Sequence, residues 1–266
     1  MSAYVAAELA SRRRWLAGLS LGTFTLLFLI AVSYQSIGLG LFAHAFPGSQ
    51  PRALQAFTGS HSGNMFTPRG WLSFGFNHPM YLVLTLAVAI TIGTSAVAGE
   101  VENGRAELVY TRPLRRRRLL WAGLGIWAIG ELTVVAAAYA GALVGGAISP
   151  EVSTSGLGPV IFAPLQYLPL AFLVAAISFL ASALARTRGR AMAVAIGLTV
   201  VAYLVNFAAG LFDWLDWAHQ INPFGHYDPF GAIDQGFQWG DAGLLIGAGL
   251  LVMGAATAAI ERRDLA

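Results

Sequence analysis

The chain has 266 residues, of which 56% are hydrophobic and only 11% are charged, a balance that excludes an ordinary soluble domain and predicts an integral membrane protein. All 16 basic residues are arginine, so the chain cannot contain the Gly-Lys-Ser/Thr of a Walker A motif and is not expected to be an ATPase or another enzyme. The sequence has no cysteine, which excludes disulfides and thiolate metal sites.

The N-terminal region combines a charged segment with a long apolar run. In residues 1–14 an apolar face lies opposite a charged face that ends in three arginines. This pattern predicts a short interfacial helix. The uncharged run at residues 15–42 is too long for the core of a secretory signal, which covers about 7–15 residues. We interpret it as a retained first span, and Gly18 and Gly22 are a candidate close-packing face.

Six apolar runs are long enough to cross a bilayer as helices. They cover residues 15–42, 81–98, 119–148, 160–184, 191–211 and 242–260. Pro164 and Pro169 are expected to kink or break the outer half of the fourth run. The predicted fold is therefore an all-α integral membrane protein, with residues 1–266 forming a single six-helix transmembrane domain.

Three connections are predicted to lie outside the membrane on the same side. Residues 47–80 form a long loop rich in Gly, Ser, Pro and aromatic residues, and residues 150–158 form a short turn. Residues 212–240 combine many aromatic residues with four aspartates. This composition predicts an external aromatic segment at the membrane interface, partly re-entrant.

The distribution of arginine predicts the orientation. If the six runs are spans, 14 of the 16 arginines lie on one side: Arg12, Arg13, Arg14, Arg105, Arg112, Arg115, Arg116, Arg117, Arg118, Arg186, Arg188, Arg190, Arg262 and Arg263. Only Arg52 and Arg69 lie opposite. Because cytoplasmic loops carry the excess of arginine, both termini are predicted to be cytoplasmic. The same distribution explains the net charge of +3 without a nucleic-acid partner.

Residues 99–118, GEVENGRAELVYTRPLRRRR, form a charged elbow between the second and third runs. Acidic residues in its first half and apolar residues at helical spacing predict a short helix. Pro113 ends this helix, because the residue before a proline disfavours helical backbone. The segment must lie in water, where it invites contact with a soluble partner. The alternative is an ordinary basic cytoplasmic loop.

Eight residues of this region stand at the spacing of a known pattern: Ala98, Glu100, Glu102, Gly104, Glu107, Leu108, Pro113 and Arg116. The pattern resembles the loop between the second and third spans of ATP-binding-cassette (ABC) type-2 permeases, which forms the coupling helix on the ATPase subunit. Arg105 and Arg115 depart from it, since the family has threonine and serine there. The Pro-Phe element within residues 221–227 and the Arg-Arg-Asp-Leu end at residues 262–265 are similar to the same family.

The resemblance implies a permease subunit of an ABC exporter in a prokaryotic cell membrane. Separate cytoplasmic ATPase subunits would bind ATP and Mg²⁺, while this chain would carry no cofactor. They would dock through the coupling residues Glu100, Glu102, Gly104, Glu107, Leu108, Pro113 and Arg116. A second copy or a related permease would complete the pathway among membrane lipids.

The histidines support a different class of function. All five fall on the predicted outer side: His44, His61, His78, His219 and His226. Together with nearby aspartates they make an external site conceivable, so the alternative is a membrane-embedded hydrolase or a substrate-binding resistance or signalling protein. However, no histidine pair has the i,i+4 spacing of metal ligands, and no G-x-S-x-G motif occurs. We therefore predict neither a metal site nor a catalytic residue.

Glu131 is the one carboxylate inside an apolar run. It lies about 12 residues beyond Leu119, roughly 18 Å along a helix and near the bilayer centre. An ionised carboxylate there costs about 2.5–3.5 kcal/mol on insertion scales, so the side chain should be neutral, paired or facing a wet cavity. Two hypotheses stay open: a structural hydrogen bond to Asn206 or a backbone carbonyl, and a place in the transport pathway.

Overall fold

A computed structural model describes residues 2–37, 55, 65–99, 102 and 117–262 of the chain. We number its α-helices in chain order: α1 Ser2–Ile37, α2 Pro68–Asn77, α3 Pro79–Thr94, α4 Arg117–Ile148, α5 Pro150–Thr154, α6 Phe162–Leu184, α7 Arg188–Leu211, α8 Ala218–Ile221, α9 Pro229–Gln235 and α10 Trp239–Arg262. A π-helical segment, Ser95–Gly99, continues α3, and 3₁₀ turns occupy Gly158–Ile161, Asp213–Leu215 and Pro223–His226. Within the described ranges there is no strand.

Six helices in the described part of the chain are long and apolar enough to cross a membrane, which confirms the predicted fold class. They are Tyr4–Ile37, Pro79–Gly99, Leu120–Ile148, Gly158–Leu184, Arg188–Leu211 and Trp239–Arg262. The last five begin and end within three residues of the predicted runs. The side on which the termini lie stays a prediction.

The first helix joins two segments that the sequence distinguishes. It runs without a break from Ser2 to Ile37, so the segment predicted to lie at the interface continues directly into the first span, and its place at the interface stays a prediction. The physical reason is that no proline interrupts this stretch, while glycine inside a helix costs only about 1 kcal/mol relative to alanine. The predicted end of this span, residues 38–42, lies outside the described residues.

The fourth span also differs from expectation at its prolines. α6 continues through Pro169 without a break. Pro164 lies in the first turn of α6, where backbone N–H groups have no intrahelical acceptor and a proline costs little. The 3₁₀ turn Gly158–Ile161 leads directly into this helix.

Close packing between α1 and α4 depends on two glycines of α4. A Cβ atom on Gly141 would run into the backbone of Phe24, and one on Gly145 would lie 2.6 Å from the carbonyl oxygen of Phe28. Small residues four apart let two membrane helices approach closely, and the contact between α1 and α4 is the most extensive among the described helices. The two backbones therefore touch where a side chain would hold them apart.

The glycines proposed for this role from the sequence do not fill it. Among the described residues, a Cβ atom on Gly18 would meet nothing within 4 Å, and one on Gly22 would meet only Leu84, at 3.6 Å. Within the described part of this chain, these two positions therefore form no close-packing face. Spacing alone cannot say which glycine pair faces a neighbouring helix.

Part of the predicted external loop at residues 47–80 is a buried helix. Pro68 begins α2, and the side-chain oxygen of Thr67 accepts a hydrogen bond from the Gly70 N–H at 3.1 Å, which caps the helix. Its residues Leu72 and Phe76 are fully buried. This part of the connection thus belongs to the core.

The predicted aromatic segment at residues 212–240 divides into two kinds of side chain. Trp214, Trp217 and Trp239 are exposed, whereas Phe230 is buried in α9. Asp228 accepts hydrogen bonds from the first backbone N–H groups of α9, at 3.0 Å each, which caps this helix. The helix packs against α2 and α6. The exposed indoles suit a membrane interface, where the polar end of each ring can reach water.

Candidate functional site

The π-helical segment that leads into the elbow is held on α6 by one serine. The Ser182 hydroxyl accepts hydrogen bonds from the backbone N–H groups of Val97, at 3.1 Å, and Ala98, at 3.0 Å. It also donates to the carbonyl oxygen of Thr94 at 2.9 Å. A π-helical turn interrupts the regular pairing of a helix, and Ser182 supplies the partners. The junction between α3 and the elbow is therefore held by a buried side chain of α6.

Two further contacts join this end to other helices. The carboxylate of Glu102, within the elbow, accepts a hydrogen bond of 2.9 Å from the backbone N–H of Arg188, the first residue of α7. The guanidinium of Arg12 in α1 donates to the Ser95 hydroxyl at 3.0 Å. A carboxylate at a helix N-terminus satisfies a free N–H and interacts favourably with the helix dipole. The π-helical segment is thus linked to α1 and α6, and Glu102 of the elbow is linked to α7.

Only one predicted coupling residue falls within the description. Glu102 is exposed and bonded as above. The remaining residues of this set lie outside the described residues: Glu100, Gly104, Glu107, Leu108, Pro113 and Arg116. Sequence reasoning missed Ser182, since a lone serine in an apolar helix gives no sign of which backbone it faces.

Glu131 is buried inside α4 with only 1% of its surface exposed. Its Oε2 accepts a hydrogen bond of 3.0 Å from the indole N–H of Trp127, one turn earlier. Its Oε1 accepts a hydrogen bond of 3.1 Å from the hydroxyl of Tyr167 in α6. Both carboxylate oxygens therefore have donors, and one of these bonds joins two helices, as the structural hypothesis requires.

The suggested partner of Glu131 is occupied elsewhere. The side-chain oxygen of Asn206 lies 2.9 Å from Nδ1 of His219, at the end of α7 away from the elbow. The pairing of Glu131 with Asn206 is therefore wrong. Tyr167 was missed because a tyrosine in an apolar span gives no hint of which carboxylate its hydroxyl reaches.

Tyr167, which bonds this carboxylate, is the middle ring of a column of three tyrosines. Tyr81 packs edge-on against Tyr167 with centroids 5.4 Å apart, and Tyr167 packs in the same way against Tyr227 at 5.9 Å. The Tyr227 hydroxyl donates to the carbonyl oxygen of Phe76 at 2.9 Å. Burial, with the negative charge of Asp228, raises the pKa of Tyr227 well above its usual value. The column ties α2, α3 and α6 to the segment before α9.

Cavities border these helices in the described part of the chain. One of about 620 Å³ is bordered by α4, α6 and α10, with Trp127 and Glu131 in its wall and an otherwise apolar and aromatic lining. Two smaller cavities lie against α7, one apolar and one polar, and they share Tyr203 and Phe224. The polar cavity reaches the end of α7 away from the elbow, where Asn206 lies.

The described histidines make local contacts. Nδ1 of His226 lies 2.7 Å from Oδ1 of Asp241, and its Nε2 lies 3.0 Å from the carbonyl oxygen of Gln220. His78 accepts a hydrogen bond of 3.2 Å from the Met80 N–H at the start of α3, and burial lowers its pKa. Within the described ranges no three His, Cys, Asp or Glu side chains are grouped as a metal site would need. His44 and His61 lie outside those ranges.

Comparisons with known proteins give one family. The sequence model of the ABC-2 family transporter protein matches residues 6–260. Searches of curated proteins and of solved structures found no match. The family match covers nearly all of the chain, including the elbow, the described helices that could span a membrane and the aromatic segment, and it confirms the resemblance drawn from the elbow residues. The chain is therefore a member of the ABC-2 transporter family, a multi-pass membrane permease subunit of an ABC transporter.

Proposed function

We propose that this permease is an exporter driven by separate cytoplasmic ATPase subunits that dock on the elbow at residues 99–118. The observation that carries the proposal is the 2.9 Å hydrogen bond between Glu102 of the elbow and the Arg188 N–H of α7. A movement imposed on the elbow would reach α7 directly through this bond. ATP and Mg²⁺ would be bound by the docked subunits, because this chain lacks the lysine that a Walker A motif needs.

The anchoring of the elbow supports a mechanical role. Ser182 ties the π-helical segment to α6, and Arg12 ties it to α1. A displacement of the elbow by closure of the ATPase pair would therefore act on α1, α6 and α7 together. Rigid-body shifts of packed helices are a common way to transmit such a displacement.

The apolar cavity between α3 and α7 supports the outward direction. Its lining contains almost no polar surface, and it includes Leu82, Leu86 and Ile196. Such a cleft suits a cargo that already dissolves in the bilayer, and a cargo of this kind needs no machinery to enter the cell. We therefore propose that ATP hydrolysis drives release on the outer side.

A second permease, identical or related, would complete the pathway. α7 leaves many apolar side chains exposed, including Leu198, Val201 and Leu204. Only 11% of its most apolar stretch is buried. A face of this kind can contact either lipid or another permease. We propose that part of it meets the second copy.

Co-purification tests the coupling. A tagged chain is purified from its native membrane, and its partners are identified by mass spectrometry. We expect a protein with a Walker A motif to accompany the wild type and to be strongly depleted by Glu107→Arg, because the substitution reverses a charge at the proposed contact. Glu151→Arg is the matched control, since Glu151 is exposed near the opposite end of α4. Equal recovery with both variants would reduce the elbow to an ordinary basic loop.

A further inference from the structure

Two cavities of different chemistry meet at the side of α7. The first, of about 290 Å³, lies between α3 and α7 and is lined almost entirely by apolar groups. The second, of about 280 Å³, lies at the end of α7 away from the elbow, and about half of its surface is polar. Tyr203 and Phe224 line both cavities. Each is near the lower end of the size of ligand pockets, about 300–1,000 Å³, so each alone suits one part of a larger molecule.

The two side chains that line both cavities are held in place by the fold. Tyr203 and Phe224 pack edge-on with centroids 5.6 Å apart. The side chain of Asn222 donates to the carbonyl oxygen of Ala202 at 2.8 Å and accepts from the Phe224 N–H at 3.0 Å. These bonds fix the 3₁₀ turn that carries Phe224 against α7. The junction is therefore a constructed feature of the protein.

The polar cavity has the character of a cation site. Asp216 and Asp228 line it, and its lining among the described residues includes no arginine, while the sequence contains no lysine. His219 also lines the cavity, with its Nδ1 on the side-chain oxygen of Asn206 at 2.9 Å. One oxygen of Asp228 already accepts the backbone N–H groups at the start of α9. Asp216 is exposed and is the carboxylate better placed to meet a ligand.

Aromatic rings add a second element of cation recognition. Tyr203, Phe207, Phe224 and Tyr227 all line the polar cavity. The faces of aromatic rings attract cations, and quaternary ammonium groups are bound in proteins by rings of this kind. Carboxylates, aromatic rings and the lack of a lining arginine together favour a positive group over a negative one.

We propose that the two cavities form one site for an amphiphile with a cationic head, which lies beside Asp216 among the aromatic rings, and a single hydrocarbon tail, which lies between α3 and α7. The inference rests on the proposed transport function, for which it names a substrate class. The apolar cavity between α3 and α7 borders the exposed side chains of Val83 and Val200, so a molecule dissolved in the membrane can enter it from the side.

Equilibrium binding tests the site without any ATPase. The whole chain is placed in nanodiscs of zwitterionic lipid, and radiolabelled N-dodecyltrimethylammonium is added, with empty nanodiscs as background. We expect saturable binding of one molecule per chain that unlabelled dodecyl maltoside, which has the same tail and a neutral head, displaces poorly. Binding no greater than to empty nanodiscs, or equal displacement by the maltoside, would overturn the proposal.

Two matched pairs of variants locate the ligand. Asp216→Asn should weaken binding about fivefold, as the loss of about 1 kcal/mol would, whereas Asp234→Asn should not, since Asp234 is an exposed carboxylate outside the cavity lining. Val200→Trp should abolish binding by filling the apolar cavity, whereas Leu251→Trp, at an exposed position of α10 outside that cavity, should leave it unchanged. Equal effects within either pair would contradict the assignment.

Transport in vesicles separates this inference from the proposed function. If the ammonium amphiphile does not bind but ATP-driven export of another cargo is found, the substrate class is wrong and the permease function stands. If it binds as expected but purified transporter with its ATPase never moves any cargo, the site stands and the proposed export is wrong.

Discussion

The hydroxyl of Tyr167 in α6 donates a hydrogen bond of 3.1 Å to the carboxylate of Glu131 in α4. The two residues are 36 positions apart, and both are buried. A carboxylate in an apolar span is costly unless its oxygens are satisfied, and here Tyr167 and Trp127 satisfy both. The bond therefore fastens α4 to α6 through two buried side chains.

Removal of single hydroxyl groups tests this bond. Tyr167→Phe should lower the free energy of unfolding by about 1–3 kcal/mol, because one oxygen of Glu131 loses its donor. Tyr81→Phe is the control, since the Tyr81 hydroxyl is also buried but has no hydrogen-bond partner among the described residues. That variant should be neutral or slightly stabilising in thermal unfolding in detergent. A larger loss for Tyr81→Phe than for Tyr167→Phe would contradict the described network.

Substitution of Glu131 separates its two possible roles. Gln keeps one acceptor for the Trp127 N–H and offers its amide N–H to the Tyr167 oxygen, so we expect stability within about 1 kcal/mol of wild type and near-normal transport. Ala leaves both donors unpaired and should cost about 1–3 kcal/mol for each. Melting and vesicle transport are measured for both variants. Normal assembly of the Gln variant with altered transport would instead assign Glu131 to the pathway.

Ser182→Ala should loosen the junction between α3 and the elbow. It leaves the Val97 and Ala98 N–H groups without their acceptor, at a cost of about 1–3 kcal/mol for each group that stays unsatisfied. We expect protection of these two amides from hydrogen exchange to fall and ATP-driven transport to weaken. Ser178→Ala is the control, because among the described residues the buried Ser178 hydroxyl bonds only the Val174 carbonyl of its own helix, at 2.8 Å. Equal protection in both variants would refute the anchoring role.

Gly141→Ala should separate α4 from α1. The added methyl group would run into the backbone of Phe24, so the helices must move apart, at about 1–3 kcal/mol for overpacking. Gly125→Ala lies in the same helix, where a Cβ atom meets nothing within 4 Å, and should be neutral or slightly stabilising. Thermal unfolding of both variants decides the matter, and indistinguishable midpoints would contradict the close approach.

The natural absence of cysteine makes introduced thiols clean reporters of topology. Ser153→Cys, exposed in α5 near the end of α4 away from the elbow, should react with a membrane-impermeant maleimide in intact cells. Thr187→Cys, just before α7 at the elbow end, should react only after the membrane is opened. The reverse labelling pattern would invert the orientation argued from arginine.

The sequence by itself determined the class of protein and the positions of its long helices. Uncharged runs of about 20 residues can cross hydrocarbon only as helices, because every backbone group must be bonded within the segment. The acidic and proline pattern of the elbow was enough to indicate the family. Both signals lie within short stretches of the chain, so they can be recognised from the sequence without knowledge of the fold.

Which residues meet across the helices was decided only by the tertiary structure. Gly18 and Gly141 each begin a pair of glycines four apart, yet among the described residues of this chain a neighbouring backbone lies against Gly141 and not against Gly18. Glu131 is hydrogen-bonded to Tyr167 and Trp127 rather than to Asn206. Ser182 is hydrogen-bonded to the backbone of the π-helical segment. A uniformly apolar helix has no polar face to fix its rotation, so the partners of its few polar or small residues depend on how all the helices pack together.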